Sequence, residues 1–290
     1  MKKFFSIFLA VLLLTLSFSG CQGKKTVKVN GISIDSEVYS YFEDESVRTS
    51  VPVEDLVLHY VTVNSKASSK NIVIPRDERD TLSKKVNNIW SFYSKYYEDL
   101  GVSKQTIYKI ESSKTLYDCL LVNYYGENGE KPIPEEEIKA YFDENYISVR
   151  YVTDYLFNID ENGKVIPLND IEKNALLEKF TSVASIINEG TIIEEAVGNL
   201  SSNTEIRNVL VNSFSDDTLP EGFFKSASAI EKGKAGVITL GDYIFLCKRE
   251  NPFEGEYSHY NEYRNKSLIK MKSDEFATVF KEWEKEYSNN

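Results

Sequence analysis

From Ser258 to Tyr287 the chain reads as one helix, and its closing turns carry Phe276, Phe280, Trp283 and Tyr287 on a single stripe. An aromatic stripe of that kind has to be buried against something. The segment ahead of it, 149–252, reads as a small self-contained α+β unit, whereas 29–146 reads as a succession of amphipathic helices. The helical group is therefore the partner for the stripe, and 149–252 becomes an insertion between two parts of one helical domain. The fold class expected is α+β: a mainly helical N-terminal domain completed by the C-terminal helix 256–290, with a small α+β domain inserted.

The helical group is punctuated by local signals. An Asn30-Gly31 turn sits between apolar positions, and Asp35 or Ser36 caps a helix with Val38, Tyr41 and Phe42. Val53 to Val63 predicts a second helix, with Ser65 to Lys70 as a polar loop. From Asp77 to Leu100, Leu82, Val86, Ile89, Tyr93 and Tyr97 recur at helical steps. Gly101 ends that helix and Ser103 caps the next, which runs to about Tyr125. Pro134 and Glu135 to Glu137 open a short helix that stops near Asn145, the three acids being solvated groups at a positive helix end.

Then the period changes. Val149 to Phe157 is rich in branched and aromatic residues and predicts a strand, followed by a loop with Asn162-Gly163 and Pro167. A helix is expected from Asp170 to Asn188, a short one over Ile192 to Val197, and another from Leu219 through Phe223, Phe224 and Ala227. Ala235 to Leu240 and Asp242 to Lys248 predict paired strands around Gly241.

At the other end, Met1-Lys2-Lys3 and the apolar run Phe4 to Phe18 form a secretory signal peptide, shorter than the roughly twenty residues of a membrane-spanning helix. Phe18-Ser19-Gly20-Cys21 resembles the lipobox of bacterial lipoproteins, with Phe18 in place of the usual Leu. That resemblance implies removal of 1–20, lipid attachment at Cys21 and a tether over 21–28; the alternative is an ordinary signal peptide cleaved nearby. Two acyl chains suffice for stable attachment, which puts the body on the extracytoplasmic face of the cell membrane. Losing Lys2 and Lys3 and no acid takes the formal charge from −11 to −13. An acidic body without clustered Lys and Arg argues against nucleic acid as a partner.

Cys119 and Cys247 both read as small buried hydrophobes. A bridge between them is open to a protein in an oxidising compartment, and the sequence does not place their Cβ atoms. His59 and His259, the only histidines, have no Cys or second His at a ligand interval, so neither a metal nor another cofactor is expected. Both read as structural or solvent-facing. No Gly-x-Ser-x-Gly elbow accompanies the many serines, which disfavours a hydrolase.

Several stretches, in order, resemble the PrsA foldase lipoproteins and the wider SurA-like chaperones. Val29-Asn30-Gly31 is similar to their opening, Leu100-Gly101-Val102-Ser103 to their helix junction, and Pro134-Glu135-Glu136-Glu137-Ile138-Lys139-Ala140-Tyr141-Phe142 to their linker helix. Within 149–252 the likeness is to a parvulin-type prolyl isomerase. It implies that Asp154 stands where one family histidine would be and Tyr243 where the second would be. The same likeness places Phe223 and Phe224 at the substrate-lining helix. Both histidines being replaced, the domain is expected to be degenerate. The expected function is a membrane-tethered chaperone or foldase that binds extended apolar segments of unfolded, newly secreted polypeptides, with weak or absent isomerase activity. The alternatives are an active parvulin and, in another class, a solute-binding lipoprotein with two α/β lobes. Oligomeric state is left open.

Overall fold

A computed structural model of the chain describes residues 25–200, 205–214, 219–256 and 258–288. The signal segment 1–20, Cys21 and the first part of the tether lie outside the described residues. The chain divides into two units, one of residues 1–130 with 272–290, the other of residues 131–271.

The first unit opens with a hairpin, β1 (Thr26–Val29) and β2 (Ile32–Asp35), turned by Asn30 and Gly31. Both turn residues have positive φ (47° and 87°), the geometry that gives a two-residue hairpin the right twist. Four helices follow: α1 (Ser36–Thr49), α2 (Val53–Ser69), α3 (Arg76–Asp99) and α4 (Lys104–Tyr125). Helix α2 runs six residues past the expected end at Val63. Nothing between Ser65 and Ser69 breaks a helix, Ala67 is buried, and the turn comes only at Asn71, where φ is 54°. The core joins Val38, Tyr41 and Phe42 of α1 to Val57 of α2, Leu82 and Val86 of α3 and Ile107 and Ile110 of α4.

One carboxylate ties two of these helices together. Glu37, in the first turn of α1, accepts from the backbone N–H of Ser103 at 2.9 Å, from Ser103 Oγ at 2.5 Å and from Thr106 Oγ1 at 2.6 Å. It thereby caps the start of α4 from outside. These bonds, the Ser103 hydroxyl's first, hold the carboxyl below its ordinary value.

The C-terminal stripe also finds its partner within this unit. Phe276, Phe280 and Trp283 belong to α9 (Tyr260–Ser288) and are buried. Tyr117 of α4 meets Phe276 at 5.2 Å and Phe280 at 4.9 Å edge-on, and Tyr124 meets Trp283 at 5.9 Å.

The second unit holds α5 (Glu135–Asn145), followed without a break by β3 (Tyr146–Tyr155). The strand starts three residues before the expected Val149, because Tyr146 and Ile147 pair with Asn212 and Val211 of β6 (Arg207–Asn212). Strand β6 had no counterpart in the sequence reading; its six residues carry too short an alternation to stand out. The main sheet runs β6-β3-β8-β7 and is antiparallel throughout, with β7 (Ala235–Leu240) and β8 (Tyr243–Glu250). Helices α6 (Asp170–Asn188) and α7 (Ile193–Ala196) cover one face with Phe180, Val183 and Ile187, and α8 (Phe223–Ser228) covers the other. The stretch 157–167, expected to be a loop, is a small hairpin of β4 (Phe157–Ile159) and β5 (Val165–Pro167). Helix α5 belongs to this unit: Phe142 is fully buried and packs on Tyr146, Phe253 and Tyr260. The division into units also runs through α9, whose first turns stay with the sheet.

Glu37→Gln is expected to cost about 1 kcal/mol, below the roughly 1.5–3 kcal/mol of a hydrogen bond to a charged group because the site is partly exposed. A carboxyl held low in the folded state stabilises it above the unfolded value of roughly 4.3, and that contribution fades as pH falls through the folded value. Urea unfolding should show wild type more stable than the variant between about pH 5 and 7, with the gap closing below about pH 4; a gap independent of pH would contradict the role given to the charge.

Candidate functional site

Strands β3 and β8 pair in an unbroken register from Ser148↔Glu250 to Tyr155↔Tyr243. Directly opposed residues share a face and successive residues alternate faces. Tyr151, Thr153 and Tyr155 therefore share a face with Cys247, Phe245 and Tyr243, the face covered by α8. Val152 and Asp154 share the other with Leu246 and Ile244.

On the α8 face the rings form a chain. Phe223 lies 5.8 Å from Tyr151 and 5.1 Å from Phe245; Phe245 lies 5.9 Å from Tyr243; Tyr243 lies 5.4 Å from Tyr155; Tyr155 lies 4.8 Å from Phe157. Exposure rises along it, from 0% at Phe223 and 2% at Phe245 to 36% at Tyr243 and 48% at Tyr155. The inner end is core and the outer end is an aromatic surface whose two phenols face solvent. Helix α8 starts after Gly222, whose φ of +84° suits glycine, and its Phe224 is half-buried against the same cluster.

The four residues that the resemblance pointed to are thus not one constellation. Tyr243 and Phe223 belong to the same aromatic chain, Phe223 at its buried end and Tyr243 where it emerges, and Phe224 borders it. Asp154 lies on the opposite face, one register step from Tyr243. Its Oδ1 accepts from the N–H of Tyr155 at 2.8 Å. It lines a cavity of about 340 Å³ with Leu176, Lys179, Phe180, Glu205 and Arg207, and Thr153 and Tyr155 line the same cavity. Tyr155 and Thr153, which the sequence reading passed over, take the places on the aromatic face instead. The signal was there: counting alternation back from Tyr151 would have put odd-numbered residues with Phe245. The Thr153 hydroxyl is already spent, donating to the Ile244 carbonyl at 3.2 Å.

Among the described residues no group of three His, Cys, Asp or Glu side chains could hold a metal ion. Cys119 and Cys247 are free thiols; the bridge left open by the sequence is not formed. Burial, with help from Glu78 and Asp118, pushes the Cys119 thiol up to about 12, and burial raises Cys247 as well, so neither is a thiolate nucleophile at neutral pH. His59 bonds Glu284 at 3.0 Å in the first unit, and the His259 backbone N–H donates to Pro252 O where α9 begins.

Its structural neighbours are PrsA foldases. Foldase protein PrsA from Streptococcus pneumoniae is 14% identical over 89% of this chain and 86% of that chain, with a TM-score of 0.40. Foldase protein PrsA from Lactococcus lactis is 14% identical, with 89% of both chains covered and a TM-score of 0.37. PrsA from Bacillus subtilis is 13% identical, with 91% of both chains covered and a TM-score of 0.35. No family model matches the sequence, and no curated protein matches it. The foldase names belong to those proteins; the α+β fold of this chain rests on its own elements and register.

Phe223→Ala is expected to destabilise the sheet unit by about 3–5 kcal/mol, the cost of emptying a packed aromatic site. Tyr155→Ala should cost about 1 kcal/mol or less, as an exposed position does. Hydrogen exchange of the β3 and β8 amides would read both, and equal losses would dissolve the distinction between inner core and outer surface.

Proposed function

We propose that the protein is a membrane-tethered extracytoplasmic chaperone or foldase that holds extended apolar segments of unfolded polypeptides, with weak or absent prolyl isomerase activity. The observation that carries the reading is the aromatic chain that emerges from the core at Tyr243 and Tyr155. Half-exposed rings on a strand end, fixed by buried rings behind them, present apolar area at little further entropic cost. Cys247 shares this face but is fully buried, its thiol raised by that burial.

The tether is the part read from sequence alone: Cys21 as the lipid-bearing residue and the cell membrane as the location. Among the described residues no helix is long and apolar enough to cross a membrane. Attachment through two acyl chains would hold the body there without one. Cys21→Ser is expected to move the chain from the membrane fraction to the culture medium; its retention on the membrane would refute the lipid anchor.

Turning an X-Pro bond needs no nucleophile, only preference for the twisted amide over a barrier of about 18–20 kcal/mol. The second reading, an active parvulin-type isomerase, therefore stays attached to the phenols of Tyr155 and Tyr243. The solute-binding reading loses support, since it required two α/β lobes and the described sheets are antiparallel, the largest having four strands.

The deciding experiment sets NMR exchange on a short X-Pro peptide beside aggregation of an unfolded client, using wild type and Tyr155→Ser/Tyr243→Ser. Suppressed aggregation without faster isomerisation, both phenols being needed for the suppression, is the expected result. Isomerisation that wild type accelerates and the double variant does not would hand the function to the enzyme reading. Aggregation unchanged by wild type would remove the chaperone.

A further inference from the structure

The β4–β5 hairpin is built like a fixed part rather than a connecting loop. Its pairs are Phe157↔Pro167, Asn158↔Ile166 and Ile159↔Val165. At its tip Asp160 Oδ1 accepts from the N–H groups of Asn162 and Lys164, both at 2.9 Å, and Gly163 supplies the φ of +79° that closes the turn. At its base the Leu168 N–H donates to Leu156 O at 2.9 Å, and the Leu156 N–H donates to Asp242 O at 2.8 Å beside the main sheet.

Such short strands would ordinarily be polar on a solvated face. Here alternation puts Phe157, Ile159, Val165 and Pro167 on one face, with Ile159 64% and Val165 52% exposed. Phe157 touches Tyr155, so this face continues the aromatic surface of the candidate site outward. The two strands pair with each other and, among the described residues, with no third strand, leaving outer edges of the kind that an extended chain can pair with. The flanking sequence carries more acid than base: Asp154, Glu161, Asp170, Glu172 and Asp242 are exposed, with Lys164 exposed and Lys173 half-buried.

We infer that the β4–β5 hairpin is a recognition arm that takes an extended polypeptide segment alternating apolar residues with Lys or Arg. The inference deepens the chaperone reading and rests on it. The apolar face and open edges suit a strand, and the excess of carboxylates in the flanking sequence selects its charge. The same carboxylates argue against a second copy of this chain as the occupant, since two identical arms would bring like charges together.

The test uses the full chain and two fluorescein-labelled peptides of about ten residues, one alternating Val with Lys and one alternating Val with Glu, read by fluorescence anisotropy. Wild type is expected to bind the Lys peptide at least about tenfold more tightly than the Glu peptide, and to lose most of that preference at about 0.5 M salt. Ile159→Ser/Val165→Ser, with an unchanged circular dichroism spectrum, is expected to weaken binding of the Lys peptide about tenfold or more. Ile166→Ser, on the other face of the hairpin, should leave it unchanged. If wild type suppresses client aggregation but the Ile159/Val165 variant binds the Lys peptide as well as wild type, the arm is refuted and the chaperone reading stands. Equal binding of both peptides would refute the charge selection. A dimer in sedimentation that only the Ile159/Val165 variant loses would make a second copy the occupant and overturn the inference. Wild type that neither binds peptide nor suppresses aggregation would take the chaperone reading down with it.

Discussion

The register between β3 and β8 is the constraint on which the sheet unit depends. Strand β3 is buried on both faces along most of its length, so each residue must satisfy a different core according to its parity: Val152 packs with Phe180 and Val183, Tyr151 with Phe223 and Phe245. A slip of one residue would exchange the two sets and destroy both. That rigidity decides what the strand can offer at its end. Where the cores run out, the same alternation delivers Tyr155 to the aromatic face and Asp154 to the opposite one. The surface is thus a continuation of the core rather than an addition to it, and its geometry is set by buried rings that never meet solvent.

The helical unit is organised differently. Its joints are single polar or aromatic fixtures between helices that would otherwise pack by area alone. Glu37 bonds α1 to the start of α4 by accepting from the Ser103 N–H and from the Ser103 and Thr106 hydroxyls. Glu111, buried on α4, is pushed upward by desolvation yet ends lower than an ordinary carboxyl, because Lys114 at 2.8 Å and Lys85 at 2.6 Å outweigh that burial. Removing both lysines would leave a buried charge without a partner. The aromatic stripe of α9 completes this unit from the far end of the sequence, with Tyr117 and Tyr124 as its counterparts on α4.

How much of this was legible depended on pattern length. Helices with three or more apolar repeats, such as α3, α4 and α6, were readable in type and nearly in extent, because each turn repeats the signal. The paired strands β7 and β8 were visible from their branched runs around Gly241. What the sequence hid were elements whose evidence lies elsewhere in the chain. Strand β6 exists because β3 offers it an edge, and β4–β5 because a tip turn brings together two triplets too short to read alone. The polar end of α2 looked like a loop since its burial hangs on one alanine. Letters matched to a family pattern carry no information on the face of the strand, and the register puts Asp154 and Tyr243 on opposite ones.

The magnitudes separate holding from catalysis at this surface. Accelerating a bond rotation a thousandfold requires about 4 kcal/mol of preference for the twisted state. A neutral hydrogen bond contributes about 1 kcal/mol net, and the two phenols available, on Tyr155 and Tyr243, stand in solvent rather than in an enclosed site. The Thr153 hydroxyl that might have joined them serves a backbone carbonyl. Holding asks for much less organisation. Covering about 100 Å² of apolar surface contributes roughly 2.5 kcal/mol, whatever the isomeric state of the chain being held. An open row of rings meets that requirement with Tyr155 and Tyr243 as they stand.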